Sequence, residues 1–199
     1  KEPLRITQKA NEDYGGHKEY VGDWERCMGI GDTPLQILKG KSELQNPNSD
    51  VMRRHNAVLV SLNDQFADPK KQTGYRAINA KVGFPVGDPA NEEKHFVEIQ
   101  ITASQIEGVY DKTHEYLDIV RAISEQAKDR EMTKDEKRIQ AYAFAGCRYE
   151  NGIASRENGY DELLDPRYKS KYEVSKTTQN NMENQILALE ELIKNFTPD

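Results

Sequence analysis

Cysteine and histidine are scarce: two Cys, at positions 27 and 147, and four His in 199 residues. That excludes a disulfide-stapled scaffold and leaves no Cys/His spacing for structural zinc. Two buried free thiols in a reducing compartment are expected, with a single disulfide as the alternative. Long hydrophobic runs are also lacking. The longest aliphatic stretch is Ala57-Val58-Leu59-Val60, far short of the roughly 20 apolar residues of a membrane span. Thirteen Gly and eight Pro are ordinary amounts, so collagen-like and low-complexity classes are excluded. A surplus of basic charge is missing as well. Lys plus Arg is 28 against 34 Asp plus Glu, for a net charge of -6, a pI near 5.4 and a mean hydropathy of -0.90. Long nucleic acid is therefore disfavoured as a main partner, and the acidic balance argues against a tRNA substrate without excluding a basic patch, whereas a local basic pocket for a nucleotide is compatible with the balance. No leader pattern opens the chain, and with the free thiols this predicts a cytoplasmic site of action. A start at Lys1 predicts a processed chain or an excised domain, including a module cut from a larger delivered effector with an immunity protein as partner.

What is present suffices for one domain with a real core and an appended helical arm. Residues 26–32 read as a short strand closed by Asp32-Thr33-Pro34. Pro34 is placed for the first turn of a helix whose face carries Leu35, Leu38 and Leu44, and Asn46-Pro47-Asn48-Ser49 ends it. The centre reads as sheet, with strands over 57–62, 75–84 and 96–102 and a longer hairpin-type loop over 83–94. In Phe96-Val97-Glu98-Ile99-Gln100-Ile101 the period of two puts Val97, Ile99 and Ile101 on one face and Glu98 with Gln100 on the other. From Ser104 the chain turns helical. Ser104-x-x-Glu107 and Thr133-x-x-Glu136 match capping boxes, and Ile106, Tyr110, Leu117 and Val120 form one stripe; the second helix runs to about Gly152. Residues 157–175 read as Tyr-rich loop. Met182, Ile186, Leu189, Ile193 and Phe196 form an a/d seam that packs on the domain or on a second copy of the chain. The expected fold is α+β: a mixed, mostly antiparallel central sheet flanked by helices, spanning 1–154, followed by a loop and helical arm over 155–199.

Carboxylates and cations cluster in the first hundred residues. Asp23-Trp24-Glu25-Arg26 stands at the mouth of the first strand and Glu98 lies on a central one. Two acids from separate strands beside basic residues suit a Mg²⁺-dependent phosphoryl-transfer site, because the metal takes hard oxygen ligands and phosphates need cations. Solvated strand-end acids are the bland reading of the same pattern. Tyr75 alone reads as a half-buried strand aromatic, His114 as a packing histidine, Trp24 as core and Cys147 as a buried thiol. Gly29-Ile30-Gly31 lacks the third glycine and acidic strand of a dinucleotide fingerprint.

Four segments then occur in a telling order: Asp23-x-x-Arg26, Asp64-x-Phe66-Ala67-Asp68-Pro69, Gly74-Tyr75-Arg76-Ala77-Ile78-Asn79 and Glu98-Ile99-Gln100. Together with His114, Tyr116 and Arg121 and the helix over 133–149, they resemble the synthetase domain of the RelA/SpoT alarmone nucleotidyltransferases, in particular its stand-alone and toxin-type members, over residues 5–154. The resemblance implies a nucleotidyltransferase-like fold and a pyrophosphokinase that moves the β,γ-pyrophosphoryl group of ATP onto the 3′-hydroxyl of a guanine or adenine nucleotide, releasing AMP. It implies that Asp23 and Glu98 hold Mg²⁺ and that Glu98 takes the proton of the attacking hydroxyl. Arg26, Arg5 and Lys9 would meet the donor phosphates. Tyr75 would stack on the acceptor base, with Arg76, Asn79 and Gln100 completing the acceptor site. The family's K-D-R-F segment reads Asn63-Asp64-Gln65-Phe66 here, so two basic positions are neutral. Alternatives in other classes are a toxin that pyrophosphorylates tRNA 3′ ends and a degenerate, non-catalytic domain that binds nucleotides or partner proteins. A homo-oligomer is a further expectation.

Overall fold

Among the described residues every strand lies before residue 104, interleaved with two helices, and only helical elements follow. The computed structural model describes residues 25–87 and 94–167, together with 169, 184 and 187 singly. In chain order the elements are β1 (Arg26–Gly31), α1 (Pro34–Gln45), α2 (Asp50–Arg54), β2 (Val58–Asp64), β3 (Ile78–Pro85), β4 (Lys94–Ala103), α3 (Ser104–Gly108), α4 (Tyr110–Gln126), α5 (Lys134–Glu157) and a 3-10 turn (Tyr160–Leu163). The a/d seam from Met182 onward, Trp24, and the candidate residues Arg5, Lys9 and Asp23 lie outside the described residues. Among the described residues no helix is long and apolar enough to cross a membrane.

The chain forms two units. The first takes residues up to Gln65 and then Ala77–Ala103; the second takes Phe66–Arg76 and the residues from Ser104. In the first unit the strands lie in the order β1-β4-β3-β2, with β1 parallel to β4 and the other two pairings antiparallel. The fold is thus α+β with a mixed, mostly antiparallel sheet, as the sequence predicts. One sheet face is apolar. Ala80, Val82 and Phe84 of β3, with Ile99 and Ile101 of β4, pack against Leu44 of α1 and Met52 of α2. A bulge between Leu59 and Ser61 restores the alternation of β2, so that Leu59 joins this core while Ser61 and Asn63 turn to the opposite face.

Helix α1 starts as expected, with Pro34 in its first turn and the Thr33 hydroxyl accepting from the Gln36 N–H. Its buried stripe differs from the predicted leucine face. Ile37 and Leu44 are buried, whereas Leu35 and Leu38 are 75% and 45% exposed. Gly40 explains the rotation: a Cβ there would lie 2.8 Å from Ile101 Cδ1, so the helix rests on the sheet along its glycine side.

In the second unit Tyr116 and Ile123 of α4 pack with Ile139, Ala143 and Cys147 of α5. Two helix predictions change. The chain breaks at Val109, between α3 and α4, so the stripe is interrupted and Tyr110 is exposed, while Ile106 is buried. Helix α5 runs past Gly152 to Glu157, and Tyr160, placed by sequence in a loop, is fully buried in the 3-10 turn. Phe66 meets its ring at a centroid distance of 5.6 Å.

Candidate active site

The second face of the sheet is polar, and β4 is the reason. Its alternating residues Phe96, Glu98, Gln100 and Thr102 point away from the apolar core, and the strand sits between two neighbours, so Glu98 and Gln100 each have a cross-strand partner on both sides. Register assigns the rows. Arg26 of β1, Glu98 of β4, Lys81 of β3 and Ser61 of β2 form one; Met28, Gln100, Asn79 and Asn63 form the next.

In the first row Arg26 donates from both Nε and Nη2 to Oε2 of Glu98, at 3.1 and 2.8 Å. The carboxylate is 19% exposed and the guanidinium 43%. A pair this open contributes about 0–1 kcal/mol to stability, so its consequence is orientation rather than cohesion. The Glu98 backbone is held too, its N–H donating to the Glu25 carbonyl at 3.0 Å. On the other side of Glu98, Lys81 places its Nζ 4.7 Å from the centre of the Phe96 ring. In the second row Gln100 is 6% exposed and Asn79 is half-buried, which puts two amides beside the charged row.

Of the residues singled out from sequence, Glu98, Arg26, Asn79 and Gln100 therefore share one face of the first unit. Asp64, one step out of phase with Asn63, lies on the helix-covered face, where Lys41 of α1 reaches Oδ2 at 2.7 Å. Tyr75 and Arg76 belong to the second unit. Tyr75 was expected within a strand over 75–84; the strand begins at Ile78 instead. Gly74, at φ +67°, turns the backbone, and the Tyr75 carbonyl accepts from the Lys70 N–H rather than from a sheet neighbour. Tyr75 and Asn79 thus do not share a strand face. Arg76 has a buried side chain whose Nη1 donates to the Tyr160 carbonyl at 3.0 Å and whose Nη2 donates to Asp161 Oδ1 at 2.6 Å. Asp161 carries no local sequence signal for that pairing, being 85 residues away.

Cysteine placement follows expectation at one position only. Cys147 is buried, and burial pushes its thiol up to about 11. Cys27, on the edge strand β1, is free and exposed. His114 stacks against Tyr110 with ring centroids 3.9 Å apart, in keeping with a packing histidine. Among the described residues no three His, Cys, Asp or Glu side chains gather as a metal-binding group. Among the described strand residues, Glu98 is the carboxylate on the polar face. That donor set fits a hard cation that takes one or two carboxylates and fills the rest of its shell with phosphate and water oxygens, as Mg²⁺ does.

No protein-family model matches the chain, and no curated protein sequence matches it. Solved structures do. Small alarmone synthetase 1 from Bacillus subtilis is 17% identical, the match covering 86% of this chain and 77% of that one with a TM-score of 0.52. Small alarmone synthetase 2 from the same organism is 17% identical over 81% of this chain and 77% of that one, with a TM-score of 0.51. A GTP pyrophosphokinase family protein from Streptococcus pneumoniae is 14% identical over 86% and 75%, with a TM-score of 0.50. At these identities the likeness is one of architecture: the chain has the α+β fold of the small alarmone synthetases.

Proposed function

We infer that the chain is a pyrophosphokinase that transfers the β,γ-pyrophosphoryl group of ATP to the 3′-hydroxyl of a purine nucleotide, forming a (p)ppGpp- or (p)ppApp-type alarmone. The observation that carries this reading is the row across the polar face, where Glu98 is bonded by Arg26 and has Lys81 in register on its other side, with Gln100 and Asn79 alongside. The names of the structural neighbours, alarmone synthetases and a GTP pyrophosphokinase family protein, support it.

In the proposed reaction the 3′-oxygen of the acceptor attacks the β-phosphorus of ATP. The bond from that phosphorus to the α,β-bridging oxygen breaks, and AMP leaves with the bridging oxygen. The hydroxyl proton passes to Glu98. A ribose hydroxyl is a weak nucleophile, so a carboxylate within reach lowers the cost of its deprotonation. Arg26, now bonded to Glu98, meets the donor phosphates, and a guanidinium fork suits that exchange of one oxyanion for another. Gln100 and Asn79 orient the acceptor. Glu98, with Asp23, would hold Mg²⁺, which when bound neutralises phosphate charge and lowers the pKa of a coordinated hydroxyl.

The test is incubation of the purified chain with γ-labelled ATP, Mg²⁺ and, separately, guanine nucleotides, adenine nucleotides and deacylated tRNA, followed by resolution of the products. The expected result is a labelled purine nucleotide bearing a 3′-pyrophosphate with one AMP released per transfer, and loss of turnover by more than a hundredfold in Glu98→Gln at unchanged melting temperature. Label in tRNA alone would assign the toxin reading. Unchanged turnover in Glu98→Gln would remove Glu98 from the mechanism. Absence of any donor binding would leave a non-catalytic domain.

A further inference from the structure

The face of β1 that carries Arg26 also carries two large apolar side chains that the proposed reaction leaves unused. Alternation puts Arg26, Met28 and Ile30 together, and their register partners on β4 are Glu98, Gln100 and Thr102. The two glycines between them fix the parity. A Cβ on Gly29 would lie 3.8 Å from Ile101 Cγ1, and one on Gly31 would lie 2.9 Å from Ile37 Cδ1, both on the helix-covered side. Met28 is 47% and Ile30 58% exposed, whereas Gln100 and Thr102 beside them are 6% and 0% exposed. Along the edge strand β1 the polar face therefore ends in an apolar strip open to solvent, in line with Arg26. Two wet aliphatic side chains are unfavourable until something apolar covers them.

We propose that Met28 and Ile30 form the platform for the base of the donor nucleotide. The assignment rests on the pyrophosphokinase reading, in which Arg26 meets the donor phosphates. At a rise of about 3.3 Å per residue, Met28 lies about 7 Å and Ile30 about 13 Å along the strand from Arg26. A nucleoside triphosphate with its phosphates at Arg26 covers that span with its ribose and base. A thioether and a branched aliphatic chain suit the flat face of a base, which they hold by contact area rather than by hydrogen bonds. The larger purine covers more of the strip than a pyrimidine, so the strip favours purine donors.

The experiment compares wild type, the double variant Met28→Ser with Ile30→Ser, and the double variant Met28→Leu with Ile30→Val. It reads the binding of ATP, CTP and inorganic tripolyphosphate by calorimetry with Mg²⁺ and no acceptor, and separately the KM for ATP and for the acceptor. Wild type is expected to bind ATP more tightly than CTP, and CTP more tightly than tripolyphosphate. The serine variant weakens ATP on the order of tenfold and draws the three ligands together, with tripolyphosphate affinity, acceptor KM and melting temperature unchanged. The Leu/Val variant keeps most of the discrimination because it keeps the apolar area. Unchanged ATP affinity in the serine variant overturns the proposal, as does an equal loss for ATP and tripolyphosphate. A wild-type dimer that the serine variant dissociates at unchanged ATP affinity would give the strip to a second copy of the chain instead. ATP binding that needs Met28 and Ile30 without any product would sink the activity and keep this assignment. Product formation with ATP affinity indifferent to both residues would do the reverse, and no nucleotide binding at all would sink both.

Discussion

Glu98 and Asp64 are both strand carboxylates paired with a cation, yet their neighbours give them different roles. Asp64 faces the helix layer, where Lys41 reaches it at 2.7 Å and ties α1 to the end of β2. Glu98 faces the open polar side, where an arginine and a lysine flank it. Parity along the strand decides the difference, since one step moves a side chain through the sheet. The two cysteines show the same control of chemistry by placement. Cys147 is fully buried, its thiol donates to the Thr113 carbonyl at 3.4 Å, and its pKa stands near 11, above the usual thiol range, so at pH 8 it stays protonated and shielded. Cys27 is exposed. A thiol reagent at pH 8 is therefore expected to modify one equivalent in the native chain and two in denaturant, with Cys27→Ser abolishing the native reaction. Comparable native rates at both positions would contradict the packing of Cys147.

At the level of elements, the start of α5 shows a sequence motif realised in full. The Thr133 side chain accepts from the Glu136 N–H, and the Glu136 carboxylate accepts from the Thr133 N–H at 2.7 Å. Arg130 adds a donor to Oε2 at 2.8 Å and a second to Oε1. These bonds, led by the one from Arg130, hold the Glu136 carboxyl down at about 2. A depressed carboxyl stabilises the fold above its ordinary pKa, near 4.5, and the contribution disappears as pH falls through about 2. Glu136→Gln keeps the capping geometry and removes the charge. Urea midpoints of this variant should lie below wild type at pH 7 and converge with it between pH 4.5 and pH 2; parallel curves across that window would refute the linkage. Deeper in the same helix, Gly146 meets Tyr116 so closely that a Cβ would lie 2.8 Å from the ring. The crossing of α4 and α5 depends on that missing side chain, which helix propensity by itself would disfavour by about 1 kcal/mol.

On the scale of the whole molecule, the segment Phe66–Arg76 leaves the sheet unit and is fastened into the helical one at several points. Asn151 donates to the Thr73 carbonyl, Arg148 to the Gln72 carbonyl, and Asp165 from its backbone to the Ala67 carbonyl. Arg76 closes the set through Tyr160 and Asp161. Its side chain is 4% exposed, so removing Asp161 takes a carboxylate from a buried cation. Asp161→Leu is expected to cost about 2–3 kcal/mol of unfolding free energy by urea titration, since Asp161 itself keeps some solvent contact. A loss below half a kcal/mol would mean that the Asp161 carboxylate is not needed to satisfy the guanidinium. Tyr75 sits within this fastened segment, so its presentation is a property of the helical unit and not of a strand.

Local pattern by itself determined the α+β class, the alternation that puts Glu98 and Gln100 on one face of β4, the proline start of α1 and the Thr133 capping box. Each depends on residues within a few positions of one another, and short-range sterics and hydrogen bonding settle such features. Only the tertiary structure decided which strands flank β4, and with them the neighbours of Glu98. Strand order and the β2 bulge are set by packing against α1 and α2, which no periodicity encodes. The same holds for the start of β3, for Arg76 meeting an acid 85 residues away, and for Lys81 standing across from Glu98. Those relations exist only once distant stretches of chain have paid the entropy of meeting, and that cost is settled by the whole fold at once.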